Sequence, residues 1–343
     1  PLDLQEHKGI VYEATCPIKI EVTYGSLNIN GCLYKPKQGA FFTQTEQLIL
    51  LSAQEQCRLT LSTDDQIETF QAKCTHIDFN ITNILQQVLQ QAKQNRLPVI
   101  LLNSPLFLLL KTVSQFLMRL QFKVLVVDYS ELMLAPSIFY TAQYKEDLKA
   151  QFLPQNPYLS LDPELLLPKA VDLIEQNPAR TVLLVQSKQF QINFSGKIEC
   201  GNFMKKLVQN LTTFFEDKYH LFEINDNDFF GVSKLNINSV LQLNYQRRMQ
   251  EQLFDLYFSG DGKELSPTSV LIKGQVFVIN EGTNQLTEIV SRDLMKQQMD
   301  KYALLLNKQK MEILGLCKIQ SADKVLRVFA AGEWAADCDV AFK

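Results

Sequence analysis

The run LPVILLNSPLFLLLKTVSQFLMRLQFKVLVVDYSELM, from Leu97 to Met133, constrains the fold more than any other stretch of the chain. An apolar run ends in a turn, a helix carrying Lys111 and Thr112 follows, and a second apolar run ends in Asp128. The pattern predicts a strand at Val99 to Leu102, a helix around Lys111 to Leu120 and a strand from Lys123 to Asp128. Strand, helix, strand at this spacing is a βαβ unit, and such units build parallel sheets. The same outline is that of a nucleotide-binding unit, in which the first turn holds phosphates. Yet this turn contains no glycine.

The flanking sequence has a different rhythm. From Ile10 to about Asp78, stretches such as PIKIEVTYGSLNINGCLYKP alternate apolar and polar residues around Gly25 and Gly31, the pattern of hairpins. A β module is expected over 1–78. Helical spacing begins at NITNILQQVLQQAKQNR, with Asn80 or Thr82 as N-cap. Further helices are expected at DPELLLPKAVDLIEQN, delayed or bent by Pro168, and at CGNFMKKLVQNLTTFFEDK. RTVLLVQS and YHLFEIND supply strands. The central α/β domain spans 79–245. In 246–343 the strands return, in SVLIKGQVFVINEG, EILGLCKIQSADKVLRVFAA and CDVAFK, with SRDLMKQQMDKYALLLNKQ expected to be helical. The fold class is α/β, a central parallel sheet with helices, flanked by N-terminal and C-terminal β-rich domains.

Composition removes several function classes. A formal net charge of −3 gives no global basic field for collecting nucleic acid. Arg247 and Arg248 form the one arginine pair, read as a solvated helix face with RNA contact as the sharper reading. Seven scattered cysteines without a CxxC suit reduced thiols. The three histidines show no zinc spacing. VILLNSPLFLLL is too short to span a bilayer, so a soluble intracellular protein without a membrane partner is expected. INDNDFF, from Ile224 to Phe230, lacks the glycine and distal glutamate of an EF-hand and reads as a polar loop. No metal site is expected.

Three stretches carry a family resemblance. IKIEVTYGSLNINGCLYKPKQGAFFTQTEQLILLSAQEQCRLTLS contains Glu21, Gly25 and Gly31 in a Gly-turn rhythm. LPVILLNSPLFLLLKT stands in the place of a phosphate loop, and QLNYQRRMQEQLFDLYFSG leads into the C-terminal part. With the terminal KVLRVFAAGEW…CDVAF strands, their order resembles the Clp/Grc polynucleotide 5′-hydroxyl kinase family and, within it, the Clp-type subunits of the pre-mRNA cleavage factor. The resemblance implies a central P-loop-NTPase-like domain between two smaller ones. In competent relatives it also implies transfer of phosphate from ATP to an RNA 5′-hydroxyl.

The residues argue against that transfer. A phosphate loop reads G-x-x-x-x-G-K-[ST] because main-chain N–H groups must converge on the anion; the lysine then reaches the phosphates and the hydroxyl holds Mg²⁺. PLFLLLKT puts Pro105 and Leu110 at the glycine positions and keeps Lys111 and Thr112. Proline has no N–H, and a leucine at positive φ costs roughly 1–2 kcal/mol. The alternative treats LFLLLKTVSQFL as a core helix with Lys111 and Thr112 turned to solvent. Asp128 matches one acid of the family's aspartate-rich Gly-Gln motif, while Tyr129, Ser130 and Glu131 do not reproduce the rest. Gln186, Ser187 and Lys188 replace a Thr-x-Gly-Trp-like turn. Losing all three elements should remove a reaction that depends on positioning.

The expected function is therefore non-catalytic. The resemblance implies a nuclear Clp-like scaffold of pre-mRNA 3′-end cleavage and polyadenylation, partnered by a Pcf-type subunit of the cleavage factor and other 3′-end processing subunits. It would need no cofactor, and RNA contact would be indirect, at Arg247 and Arg248. The alternative is a divergent ATP-dependent RNA 5′-hydroxyl kinase in RNA or tRNA processing, using Lys111, Thr112 and Asp128 with ATP and Mg²⁺. A third reading is an RNA-binding accessory protein acting through Arg247 and Arg248.

Overall fold

The computed structural model describes residues 1–14, 16–42, 47–62, 74–78, 81–103, 107–130, 134–141, 158–175, 180–186, 196–225, 247, 250–251, 254, 257–258, 267–280, 286–289, 295–298, 300–307, 312–322, 326–331 and 333–342. The architecture is strand-rich, with mixed sheets and few helices.

Strands β1 (Leu2–Leu4), β2 (Lys8–Ala14), β3 (Ile18–Tyr24), β4 (Leu27–Ile29), β5 (Cys32–Tyr34), β6 (Gly39–Phe42), β7 (Gln47–Ala53), β8 (Cys57–Ser62) and β9 (Cys74–Asp78) come first. They form two antiparallel sheets ordered β1-β8-β3-β6 and β5-β4-β7-β2-β9. Alternation explains the sandwich: Ile10, Tyr12, Ile49 and Leu51 point inward, against Ile18, Ile20 and Leu59 of the facing sheet. The other face of the second sheet is not left to water. Val11, Leu48, Leu50 and Ile77 belong to a second core shared with the middle of the chain.

That middle part contains α1 (Thr82–Lys93), β10 (Leu97–Asn103), α2 (Phe107–Arg119), β11 (Lys123–Asp128), β12 (Ser137–Thr141), β13 (Tyr158–Leu159), α3 (Leu166–Glu175), β14 (Thr181–Gln186), α4 (Gly196–Phe215) and β15 (Tyr219–Asn225). The strand order is β13-β12-β11-β14-β10-β15. β11, β14, β10 and β15 run parallel, and β12 and β13 add antiparallel pairs. α1 starts behind Ile81, which makes no side-chain cap, rather than behind a capping Asn80 or Thr82. A single 3₁₀ turn, capped by Asp162 through the Glu164 amide at 2.9 Å, precedes α3. Pro168 then falls in the first turn of α3, where a missing N–H costs nothing.

The last part forms one sheet from β16 (Pro267–Leu271), β17 (Val276–Ile279), β18 (Leu286–Glu288), β19 (Tyr302–Asn307), β20 (Glu312–Ala322), β21 (Leu326–Ala331) and β22 (Asp339–Phe342). Its order is β16-β21-β20-β19-β22-β17-β18. β16 and β17 lie five places apart, roughly 24 Å in a flat sheet. The link 272–275 joins them, and five Cα steps reach at most about 18 Å. The sheet must therefore curl, and the curl encloses Ala303, Leu305, Cys317, Ile319, Val328 and Val340. β19 corrects the expected helix at SRDLMKQQMDKYALLLNKQ. Ala303 and Leu305 face the inside of the curl while Leu304 and Leu306 join the shared core. A segment buried on both faces carries a continuous apolar run, which periodicity alone does not separate from a helix.

Candidate functional site

The sheet order fixes where a crevice must lie. β10 leads through α2 to β11 on one side, and β14 leads through α4 to β15 on the other. Right-handed crossovers in opposite directions put the two helices on opposite faces. Ile100, Leu102, Val182 and Leu184 accordingly pack with α1 and α2. Val99, Leu101, Leu183 and Val185 pack with α3 and α4. In such sheets the ligand crevice opens beyond the carboxyl ends of the strands where the order reverses, here between β10 and β14.

The residues that would follow a phosphate-loop turn at that crevice are helical from Phe107 on. β10 ends at Asn103 and α2 begins at Phe107, one turn ahead of the helix expected around Lys111 and close to the start of the core-helix reading of LFLLLKTVSQFL. Pro105 lies outside the described residues. Leu108, Leu109 and Leu110, which a phosphate loop would leave in extended or left-handed backbone, are helical and almost wholly buried. None of them is among the positive-φ residues. Over Leu108 to Leu110 the chain thus avoids the left-handed strain by being helical. The Lys111 and Thr112 amides then belong to the i→i−4 ladder and are turned away from any anion at the strand ends.

The side chains of Lys111 and Thr112 correct the expectation that they face solvent. Lys111 is 8% exposed and Thr112 fully buried. α2 is covered on its second side by the hairpin joining β4 and β5. Asn30 and Gly31, with φ of +49° and +87°, form its two-residue turn, the Asn-Gly pairing suited to a type I′ hairpin. A Cβ on Gly31 would sit 2.9 Å from the Thr112 carbonyl oxygen and 2.7 Å from Gln115 Cβ. Arg119 Nη1 donates to Asn28 Oδ1 at 2.5 Å and to the Gly31 carbonyl at 3.3 Å. Asn30 pairs with Leu50 through both its own amide and its side-chain oxygen, each at 2.8 Å. Burial lowers the Lys111 ammonium to about 8, against a smaller opposing contribution from Cys32 on β5. The Thr112 hydroxyl has no hydrogen-bond partner among the described residues.

Asp128 ends β11 and is fully buried. It accepts hydrogen bonds from the Ser130 amide at 2.8 Å and the Ser130 hydroxyl at 2.5 Å, folding the chain after the strand into an Asx-type turn. Gln186 ends β14, buried, and its carbonyl receives the Tyr129 amide at 2.9 Å. Asn103 Nδ2 donates to Glu223 Oε1 at 2.5 Å. Among the described residues the strand ends supply amides, hydroxyls and carboxylates. Glu131, Ser187, Lys188 and the 226–230 part of INDNDFF lie outside the described residues. Arg247 is exposed and paired with Glu251 at 3.3 Å, an i,i+4 pair; Arg248 lies outside the described residues.

The structure thus brings Lys111 and Thr112 together with Asn28, Gly31, Cys32, Gln115 and Arg119, and leaves Asp128 at the strand end. Sequence reasoning did not foresee this junction. Its one local signal was the Asn-Gly turn; the partner helix lies some 80 residues further along.

No family model matches the chain, and no curated protein matches it. Solved structures do. A wild-type Clp1p–Pcf11p complex aligns with a TM-score of 0.65 at 14% identity, covering 100% of this chain and 97% of that one. The chain has a Clp1-like fold. A second structure, described as an extended interface between Pcf11p and Clp1p and as the structural basis for ATP loss in a glycine-to-arginine point mutant, aligns at 0.62 and 12% identity, again over 100% and 97% of the two chains. The likeness runs the full length, sandwich, central sheet and curled sheet together, and at these identities it is a likeness of fold.

Proposed function

We propose that the chain is a non-catalytic, Clp-like scaffold subunit of the nuclear pre-mRNA 3′-end cleavage and polyadenylation machinery, holding a Pcf11-like partner. We divide it at 78/79 and 245/246 into a sandwich, a degenerate P-loop-NTPase-like domain and a C-terminal β domain. The observation that carries this reading is the start of α2 at Phe107, with Leu108, Leu109 and Leu110 helical and buried. Burial of Lys111 and Thr112, the two residues retained from the loop motif, beside the sandwich hairpin supports the same reading. A Clp1-like fold, seen in chains that bind Pcf11p, supports the partner.

Two titrations test it. ATP with Mg²⁺ at millimolar concentration should leave thermal stability unchanged, whereas a Pcf11-like segment should bind in calorimetry. A ligand at a hundredfold excess over its Kd would add about 2.7 kcal/mol. An ATP-dependent rise of that size, or transfer of label to a 5′-hydroxyl oligonucleotide, would overturn the non-catalytic reading; failure of the segment to bind would overturn the scaffold.

A further inference from the structure

Three neighbouring parallel strands are each preceded by a cation: Arg180 before β14, Arg96 before β10 and Lys218 before β15. The pairings Leu97↔Tyr219 and Val99↔Leu183, run back by one and three residues, set Arg180, Arg96 and Lys218 side by side at one level. The Leu97 amide donates to the Lys218 carbonyl at 2.7 Å, which fixes one end of the row. Residues at one level of parallel strands share a face. For Arg180 it is the face of α1 and α2, because its guanidinium lies over Phe122, which packs there with Ile100, Val182, Leu184 and Phe222. All three cations are exposed, as is Lys93, at the end of α1 and three residues before Arg96. At about 4.8 Å per strand the row extends roughly 10 Å.

This edge is opposite the crevice between β10 and β14, so the row has no part in a nucleotide site. Among the described residues none of the three cations makes an ion pair, although Glu175, Glu216 and Asp217 are near in sequence. The Arg180 guanidinium lies over the Phe122 ring, 4.1 Å from its centre. Among the described residues no exposed apolar side chain lies between the cations: Phe122 and Thr181 are buried, and Leu97 and Tyr219 are half-buried. A protein segment binds through an apolar centre ringed by polar groups. A regular line of cations without such a centre suits a repeating anion, and two of the three are arginines, whose planar forks grip phosphate and stack on bases.

We infer that Arg180, Arg96 and Lys218 hold the phosphodiester backbone of single-stranded RNA along the amino-terminal edge of the central sheet. The inference rests on the RNA-processing role proposed above, and gives that role a direct RNA contact away from Arg247. The test is fluorescence anisotropy of the full chain with labelled oligouridylate between about 50 and 200 mM salt. The triple variant Arg96→Gln, Arg180→Gln, Lys218→Gln should bind at least about tenfold more weakly, and its log–log salt slope should shrink by about 2, from 0.7 per phosphate for single strands. Arg247→Gln should change neither. The charge-retaining pair Arg96→Lys, Arg180→Lys should keep the slope, which separates lost charge from lost fold. An unchanged slope in the triple variant would overturn the inference and leave the cations as partners of helix carboxyl ends. So would loss of binding to an acidic peptide with RNA affinity intact. Binding of a Pcf11-like segment is read separately, so failure of the scaffold role and failure of the RNA edge are distinct results.

Discussion

Gly31 lies so close to α2 that a methyl group on its Cα would stand 2.9 Å from the carbonyl oxygen of Thr112. The contact joins the N-terminal sandwich to α2, and the backbone at Gly31 is left-handed, with φ +87°. Gly31→Ala therefore combines a strained φ, roughly 1–2 kcal/mol, with overpacking of about 1–3 kcal/mol. Chemical denaturation should show a loss of at least about 2 kcal/mol. A loss below about 0.5 kcal/mol would mean that the turn can withdraw from the helix.

Arg119 and Asn28 should be coupled. The guanidinium is part-buried and donates to the Asn28 side chain at 2.5 Å. A hydrogen bond to a charged group contributes about 1.5–3 kcal/mol. In a double-mutant cycle, Arg119→Ala and Asn28→Ala should show at least about 1 kcal/mol of interaction. Additivity of the two changes would place the bond outside the stability of the fold.

Lys111 gives the protein a signature in alkaline pH. Burial depresses its folded-state value to about 8, below the unfolded 10.4 or so. Between those values the unfolded chain holds the proton and the folded chain releases it, so this group makes stability rise with pH across the window. The size is on the order of 3 kcal/mol. Cys32, raised by burial, and Cys57, raised to about 11, act with the opposite sign. The difference between wild type and Lys111→Met isolates the lysine. That difference should favour the variant at pH 7 and close between about pH 8 and 10.5. A flat difference curve would show the ammonium to be solvated.

Thr112→Val asks whether the motif residue still has work to do. Its hydroxyl is fully buried with no partner among the described residues, and an unsatisfied buried polar group costs about 1–3 kcal/mol. Unfolding measurements should find the valine variant as stable as wild type or up to about 1 kcal/mol more so. A loss exceeding about 1 kcal/mol would reveal a hydrogen bond made by that oxygen.

Much of this architecture could be read locally. Alternation in IKIEVTYGSLNINGCLY specifies strands and places the Asn30–Gly31 turn, because strand period and turn chemistry are properties of neighbouring residues. The apolar runs ending at Asn103 and Asp128 with a helix between them specify parallel strands. The absence of glycine before Lys111 and Thr112 is a local property of the same kind, since φ and amide direction are set residue by residue. What packs against those elements was decided elsewhere. Lys111 and Thr112 were expected in solvent because their own helix offers them a polar face; only the sandwich, arriving from residues 28–32, buries that face. YALLLN could have been helix or strand until Leu304 and Ala303 found cores on opposite sides. The line of Arg180, Arg96 and Lys218 is invisible in sequence, where its members are some 40 to 120 residues apart. Periodicity records what each segment can bury, and only the tertiary structure determines which distant surface buries it.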